Sequence, residues 1–326
     1  MRRLGALAVV VASLVACSGG GGNGPALERA AVRDAPAAAP TTTVLVTTTA
    51  PAPTTTTTAP PPVAVAPPPG PALAADPAAL ADQLVAAEQT IRDPAATDEG
   101  LTAAAQLEQL AYRRISEHPE WDEIVFPRVP AELTGAVATN VAARREFLGM
   151  AGKISDTLPA WRIVDPAPAD ELIGYYKEAE AQFGVGWSYL AAINLVETGM
   201  GRIVGLSTAG AQGPMQFIPS TWDRYGEGDI NSPHDSILAA ARYLNANGFA
   251  DGNIDGALFR YNNHNNYVRG VEEYAAVMAS EPVTFAAFHR WQIVYRTTLG
   301  DVVLPTGYES LEPTPAADYL ATHPQT

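Results

Sequence analysis

The chain has 326 residues, of which 47% are hydrophobic, and 35 acidic against 20 basic side chains give a formal net charge of −15. This balance disfavours nucleic-acid partners, because the sequence offers no basic stripe to neutralise phosphates. A single cysteine excludes an internal disulfide framework, and the five histidines show no metal-ligand spacing. We therefore expect neither a metal nor a cofactor.

The N-terminus has the form of a bacterial lipoprotein signal. Arg2 and Arg3 precede the apolar run LGALAVVVASLVA, which is too short to span a bilayer comfortably and leads into Cys17. The pattern resembles signals that are cleaved before the cysteine, which then receives lipid. We expect residues 1–16 to be a signal peptide, and the exported protein to be anchored to the membrane through Cys17 and to face the cell wall. The alternative is an ordinary secretory signal that happens to end at a cysteine.

A linker is expected to follow over residues 17–76, where glycine, alanine, threonine and proline dominate. Such a segment cannot bury enough apolar surface to offset the entropy of ordering, so we predict that it is disordered. Its prolines favour an extended spacer that holds the folded part away from the anchor.

Residues 77–160 are predicted to form a helical accessory region. Apolar side chains recur at helical spacing in AALADQLVAAEQTIR, LTAAAQLEQLAYRRI and AELTGAVATNVAARREFLGMAGKI. The proline-bounded segment HPEWDEIVFPRVP separates the second helix from the third. No residue pattern in this region points to chemistry.

A second helical region, predicted to be the catalytic domain, covers residues 166–290. The helix APADELIGYYKEAEAQFG is expected to end at Gly184, and WSYLAAINLVE at Gly199 and Gly201. A glycine-rich loop and the polar segment PSTWDRYGEGDIN, predicted to be irregular, come next. Ser232 is expected to cap the following helix, and two more helices lie around DGALFRY and YVRGVEEYAAVMA.

The C-terminal residues 291–326 predict a hairpin and a tail. The segment WQIVYRTTLGDVVLPTG alternates in hydrophobicity and turns at Leu299, Gly300 and Asp301, which is typical of a β-hairpin. The tail after Gly307 is expected to be poorly ordered. The predicted fold class is therefore mainly α, with a short C-terminal β-hairpin.

Glu197 is the first candidate for a chemical role. It lies at the C-terminal end of its predicted helix, where the helix dipole disfavours a negative charge, and Ile193, Leu195 and Val196 suggest apolar surroundings. Both effects raise the pKa of the carboxyl and would keep it protonated near neutral pH, as a general acid requires. Taken alone, the residue is more simply interpreted as a solvated glutamate at a helix end.

Four sequence elements change this interpretation. The segment STAGAQGPMQ, which ends at Gln216, resembles the Gly-Ala-x-Gly-x-Met-Gln signature of lytic transglycosylases, enzymes with a goose-type lysozyme fold. Glu197 lies 19 residues before Gln216, where that family keeps its catalytic glutamate. FIPSTW extends the match, and Tyr261 and Asn262 correspond to the Tyr-Asn pair of the family. GDINSPHDSILAAARYL is similar to the membrane-bound type B branch, and the resemblance covers about residues 170–280.

The resemblance implies an enzyme that acts on peptidoglycan glycan strands. Glu197 would protonate the glycosidic oxygen between N-acetylmuramic acid and N-acetylglucosamine. It would then accept the proton of the muramic C6 hydroxyl, which yields a 1,6-anhydro end without consuming water. The residues expected to bind the substrate are Ser207, Gly210, Ala211, Gly213, Met215, Gln216, Tyr261 and Asn262.

The residue types of the signature suit a sugar site. Gly210 and Gly213 lack side chains, so their backbone can approach a bulky sugar closely. Gln216 offers both a donor and acceptors for hydroxyl and acetamido groups. Thr198 and Pro214 differ from the soluble branch of the family and are similar to type B.

Two alternatives to this activity remain from the sequence. A hydrolytic muramidase on the same fold would need a second, water-activating carboxylate, and its candidate sources near the signature are Asp223, Glu227, Asp229 and Asp235. These acids are otherwise interpreted as a solvated loop with a helix cap. The second alternative is a peptidoglycan-binding lipoprotein without activity, which the presence of Glu197 disfavours.

A cation-dependent adhesion protein is a third, weaker hypothesis. DGNIDG, residues 251–256, copies the first half of an EF-hand loop, but its twelfth position is Asn262, where a bidentate glutamate is needed. A helix start with aspartate caps is the better interpretation. His264, close to Tyr261, is left without an assigned role.

Overall fold

The structure is a computed structural model that describes residues 71–325. The predicted signal peptide, the lipidation site Cys17 and the predicted linker up to residue 70 lie outside the described residues. Within residues 71–325, none of the helices combines the length and apolarity that crossing a bilayer would demand.

Three long helices form the region predicted to be helical between residues 77 and 160: α1 (Pro77–Arg92), α2 (Asp98–Glu117) and α4 (Ala131–Gly149). Between α2 and α4 the chain forms the four-residue helix α3 (Asp122–Val125), flanked by 3-10 turns at Pro119–Trp121 and Phe126–Arg128. Asp76 caps α1 by accepting hydrogen bonds from the backbone N–H groups of Ala78 and Ala79.

The helix α4 is shorter than the sequence predicted, because it ends at Gly149 and not near residue 154. The Asn266 side chain donates a hydrogen bond (3.2 Å) to the carbonyl oxygen of Glu146 in the last turn. A Cβ at position 149 would lie 2.6 Å from the Asn266 amide nitrogen. The Asn266 side chain therefore packs against the last turn of α4, and a side chain larger than glycine at position 149 would have to displace it.

The second helical region contains α5 (Ala169–Phe183), α6 (Trp187–Thr198), α7 (Pro219–Tyr225), α8 (Pro233–Ala246), α9 (Ile254–Tyr261), α10 (Asn265–Ser280) and α11 (Phe285–Arg290). The predicted ends of the first two helices are present: Gly184 and Gly199 adopt left-handed conformations with φ of 69° and 61°. Ser232 caps α8 as expected.

The expectation of irregular structure throughout residues 219–231 was wrong for α7. Pro219 stands at the first position of this helix, where its fixed φ favours helical geometry and its missing N–H costs nothing. Trp222 packs edge-on against Phe217, with ring centroids 5.7 Å apart. The packing of one aromatic residue thus stabilises a helix that the polar composition did not suggest.

One hydrophobic core extends through both helical regions, from Leu80 in α1 to Trp291 after α11. The helices α4 and α10 approach so closely that a Cβ on Gly270 would lie 2.6 Å from the ring of Phe147. The helices of residues 77–160 therefore supply one face of the core on which the helices of residues 166–290 pack.

The C-terminal part forms the predicted hairpin, with β4 (Ile293–Thr297) antiparallel to β5 (Gly300–Leu304). Two short pairs accompany it: β1 (Thr157–Leu158) with β6 (Thr314–Pro315), and β2 (Arg162–Ile163) with β3 (Ile203–Val204). A second, smaller hydrophobic cluster lies among these strands.

The expectation that the tail after Gly307 is poorly ordered was wrong. Tyr308 is buried, and its hydroxyl donates a hydrogen bond (2.7 Å) to the carbonyl oxygen of Pro159. The chain continues through β6 into the helix α12 (Ala316–Thr322), whose Ala316 lies in the second hydrophobic cluster. Burial of these residues against the 157–163 segment offsets the entropy of ordering the tail.

Candidate active site

Glu197 is the penultimate residue of α6, and its side chain is fully buried. The reason is local: every residue from 190 to 198 of this helix is buried, so the helix has no solvent face in its second half. The apolar surroundings that the sequence suggested for Glu197 are therefore present.

The two carboxyl oxygens of Glu197 have different surroundings. Oε1 accepts a hydrogen bond (2.9 Å) from the hydroxyl of Tyr267, which lies on α10. Oε2 is buried and has no hydrogen-bond partner within residues 71–325. Burial raises the pKa of Glu197 to about 8, while the hydrogen bond from Tyr267 acts in the opposite direction. The carboxyl is thus mostly protonated at neutral pH.

Tyr267 is a site residue that the sequence analysis missed. It is fully buried, and its ring lies parallel to that of Tyr261, with 6.4 Å between the centroids. The available signal was its position six residues after Tyr261, but nothing in the sequence distinguishes it from a tyrosine of the core. Its contact with Glu197 arises from the packing of α10 against α6.

Tyr261 is close to Glu197, as predicted, but its hydroxyl is already used by the protein. It donates a hydrogen bond (2.7 Å) to the carbonyl oxygen of Met215. The pKa of Tyr261 is raised well above its ordinary value, mainly by burial and to a smaller extent by the charge of Glu197. The residue therefore connects the surroundings of Glu197 to the segment at 207–217, which we call the signature loop.

The signature loop is held by its own polar groups. The hydroxyl oxygen of Ser207 accepts hydrogen bonds from the backbone N–H groups of Ala209 (3.2 Å) and Ala211 (3.0 Å). Gln212 and Phe217 exchange backbone hydrogen bonds of 3.0 and 2.9 Å. The loop is therefore a closed and internally bonded turn, in which Ser207 has a structural role.

Gln216 occupies a strained position in this loop. It adopts a φ of 50°, which is uncommon for a residue other than glycine, and its side-chain amide donates (3.1 Å) to the carbonyl oxygen of Gly213. Its side chain is almost fully buried. Ala211, Met215 and Asn262 are buried as well, whereas Ser207 and Gly210 lie partly exposed on the loop.

The two glycines of the signature differ in their surroundings. A Cβ on Gly213 would lie 2.0 Å from the carbonyl oxygen of Ile230, so the missing side chain there makes room for the protein's own backbone, and contact with a sugar at Gly213 stays a prediction. Gly210 adopts a φ of 78° and a Cβ there would meet nothing within 4 Å among the described residues. Of the two glycines, Gly210 is the one with open space beside its Cα.

Thr198 joins the end of α6 to the signature loop. Its hydroxyl donates to the carbonyl oxygen of Pro214 (2.6 Å) and accepts from the backbone N–H of Gly201 (2.9 Å). Since Thr198 directly follows Glu197, these two bonds fix the position of the acid relative to the loop.

Of the four acids proposed as sources of a second carboxylate, Asp235 and Glu227 have charged or backbone partners, whereas Asp223 is exposed on α7. Asp235 accepts a hydrogen bond (2.9 Å) from the backbone N–H of Asp229 and lies 3.0 Å from the ring Nδ1 of His234. Both hydrogen bonds lower the pKa of Asp235, and the one from Asp229 has the larger effect. Glu227 forms an ion pair with Arg242.

The segment 251–256 starts α9, as expected, but without aspartate caps. Asn253 is the N-cap residue and its side chain makes no capping bond; it donates instead to the carbonyl oxygen of Asn247 (3.3 Å). His264 caps α10 by accepting from the N–H of Asn266 (3.1 Å). Across residues 71–325 there is no group of three or more His, Cys, Asp or Glu side chains that could hold a metal ion.

Comparison with known proteins identifies this region. Residues 174–280 match the family model of the transglycosylase SLT domain. A curated relative is the membrane-bound lytic murein transglycosylase F of Thiobacillus denitrificans, 35% identical over 79 residues. The match covers 24% of this chain and 17% of the relative, so the chain spans less than a fifth of that relative's length. No solved structure gives a significant match.

The fold and the comparisons agree on a mainly helical, lysozyme-like architecture, as the sequence resemblance implied. The matched segment contains Glu197, the signature loop and the Tyr261–Tyr267 pair. Residues 174–280 are therefore similar to the transglycosylase SLT domain.

Proposed function

We propose that this protein is a peptidoglycan lytic transglycosylase that cleaves the β-1,4 bond between N-acetylmuramic acid and N-acetylglucosamine and leaves a 1,6-anhydro end. Glu197 is the general acid and then the general base. The observation that carries the proposal is the buried Glu197 carboxyl with a raised pKa, one oxygen bonded to Tyr267 and the other without a partner in the described part of the chain. The SLT domain match supports the same substrate class.

The hydrogen bond from Tyr267 determines where the proton of Glu197 lies. Because the Tyr267 hydroxyl donates to Oε1, the carboxyl proton belongs on Oε2. The proton passes from Oε2 to the glycosidic oxygen, the bond from that oxygen to the muramic C1 breaks, and the glucosamine leaves with a free 4-hydroxyl. Since Glu197 is fully buried, the bound glycan displaces the side chains that cover Oε2.

The second half of the reaction uses the same carboxyl. The acetamido group of the muramic acid supports the positive charge that develops at C1. The ionised Glu197 then takes the proton of the C6 hydroxyl as O6 bonds to C1, which restores the acid and closes the anhydro ring. Tyr267 stabilises the carboxylate between these steps, because a hydrogen bond to a charged oxygen is stronger than one to a neutral carboxyl.

A hydrolytic muramidase on this fold needs a carboxylate that activates water. Two of the four candidate acids are already engaged: Asp235 accepts from the backbone N–H of Asp229, and Glu227 is paired with Arg242 of α8. This arrangement favours the intramolecular route, in which the C6 hydroxyl takes the place of water.

Digestion of purified sacculi followed by mass spectrometry of the fragments tests the proposal. Anhydro ends, lighter by one water than reducing ends, are expected; reducing ends would establish hydrolysis instead. Glu197→Gln should abolish cleavage. The matched control is Glu171→Gln, because Glu171 also accepts a tyrosine hydroxyl (Tyr175, 3.2 Å) but is exposed. Undiminished cleavage by Glu197→Gln would reject the assignment of the acid.

We also propose that the protein is exported and held at the membrane by lipid on Cys17, where the linker lets the domain reach the cell wall. The support is the sequence pattern at residues 1–17. Expression of the full chain and of Cys17→Ala, followed by membrane fractionation, tests this. The wild type is expected in the membrane fraction and the variant in the soluble exported fraction; equal membrane association of both would contradict lipid anchoring.

A further inference from the structure

A cavity of about 830 Å³ lies outside the SLT domain, between α2, the β4–β5 hairpin and the segment that precedes α1. Among the described residues, its walls carry three arginines, Arg113, Arg114 and Arg296, and two carboxylates, Glu117 and Asp301. The described lining thus carries one more arginine than carboxylates, in a chain whose net charge is −15.

The two carboxylates are already paired. Asp301 accepts from Nε of Arg113 (2.6 Å), and Glu117 lies 3.0 Å from Nη1 of Arg296. Arg114, in contrast, is exposed and makes neither a hydrogen bond nor an ion pair with any residue in the described part of the chain. One guanidinium at the cavity is therefore free to bind a ligand, and the Arg296 side chain is partly accessible beside it.

A fourth arginine lies behind this wall. Arg144 on α4 is 1% exposed, and none of its three guanidinium nitrogens makes a hydrogen bond within residues 71–325, although the Tyr274 hydroxyl is nearby. Burial, and after it the charge of Arg113, lower the pKa of Arg144 to about 10. A buried cation without a bonded partner is unfavourable, so this side of the cavity attracts negative charge.

We propose that this cavity binds an organic anion through a phosphate or carboxylate group, with Arg114 and Arg296 donating to the anionic oxygens. The planar fork of a guanidinium matches both groups, and bonds between charged partners are the strongest of their kind. The volume is in the range of small-molecule sites and exceeds the needs of a bare ion. None of the lining residues belongs to the SLT domain, so this site is independent of the activity proposed for Glu197.

Titration calorimetry of the protein with inorganic phosphate and with citrate, at constant ionic strength set by sodium chloride, tests the proposal. Saturable binding of at least one probe at low millimolar concentration is expected. Preference for phosphate or for citrate distinguishes a phosphate ligand from a carboxylate ligand. Absence of saturable binding by both probes would overturn the proposal.

Variants locate the site. Arg114→Gln combined with Arg296→Gln should weaken binding by roughly tenfold or more, because two charge-assisted contacts are lost. Arg128→Gln is the control. Like Arg296, Arg128 is partly accessible and forms an ion pair, in its case with Asp82, but it does not line the cavity. Equal binding by the double variant and the control would place the anion elsewhere and reject this site. Glu197→Gln should bind the probe as the wild type does, whatever its effect on cleavage.

Discussion

Replacing Glu197 by glutamine is expected to stabilise the fold at neutral pH while it abolishes cleavage. The wild-type carboxyl has a pKa of about 8 when folded, against an ordinary value of 4.5. Between these values the native state holds a proton that the unfolded chain releases, so the wild type loses stability as pH rises. Glutamine does not titrate, so the Glu197→Gln variant does not lose stability in this way as the pH rises.

The magnitude follows from the shift. Each pH unit in this window lowers the free energy of unfolding of the wild type by about 1.4 kcal/mol, which amounts to about 3 kcal/mol at pH 7 and about 4 kcal/mol at pH 8. The amide introduced by Glu197→Gln brings an offset of its own, because a buried N–H donor without an acceptor costs about 1–3 kcal/mol. That offset does not depend on pH, so the diagnostic quantity is the slope of the difference between variant and wild type.

Urea unfolding followed by far-UV circular dichroism at pH 4.5, 6, 7 and 8 measures this slope. The stability of Glu197→Gln relative to the wild type should rise steadily with pH and level off above the folded pKa. The exposed control Glu171→Gln should show no such rise. A flat difference for position 197 from pH 5 to 8 would mean that this carboxyl ionises like an ordinary glutamate, and the proton-donor argument would fail.

Three further predictions test other contacts. Tyr267→Phe removes the hydrogen bond that lowers the pKa of Glu197. The alkaline limb of the pH–rate profile on sacculi should therefore move to higher pH by about one to two units, with a lower maximal rate. An alkaline limb at the wild-type pH would contradict this role of Tyr267. Burial, and then the charge of a neighbouring buried glutamate, raise the pKa of Glu108 well above 4.5, so Glu108→Gln should stabilise the protein at pH 7 but not at pH 4, as urea unfolding would show. Gly213→Ala forces a Cβ to 2.0 Å from an opposing carbonyl oxygen and should cost about 2 kcal/mol or more in the same assay, whereas Gly210→Ala, with a similar φ and open space, should cost about 1 kcal/mol.

The sequence predicted most of the long helices because their signals are local. Gly184 and Gly199 end α5 and α6 through their own conformational freedom, and Ser232 caps α8 through a bond to a residue three positions away. The apolar neighbours Ile193, Leu195 and Val196 suggested the burial of Glu197, but taken alone the residue was more simply interpreted as a solvated glutamate, because burial depends on the packing of distant helices.

The features that the sequence did not reveal depend on distant contacts. Tyr308 bonds to a carbonyl group 149 residues earlier in the chain, so nothing around it predicts an ordered tail. Tyr267 reaches Glu197 across 70 residues of sequence. The role of Gly213 depends on where Ile230 lies, and a glycine kept free for a ligand looks the same in sequence as one crowded by backbone.

The contacts at the end of α6 have a practical consequence for anyone who wishes to produce a minimal enzyme. A Cβ on Gly199 would lie 2.5 Å from the tip of Ile293, and the N–H of Val164 donates to the carbonyl oxygen of Arg202 (2.9 Å). A Cβ on Gly270 would lie 2.6 Å from the ring of Phe147, which is also outside residues 174–280. A fragment trimmed to residues 174–280 would leave these surfaces uncovered in water, so a usable truncation has to retain the chain from α1 through α12.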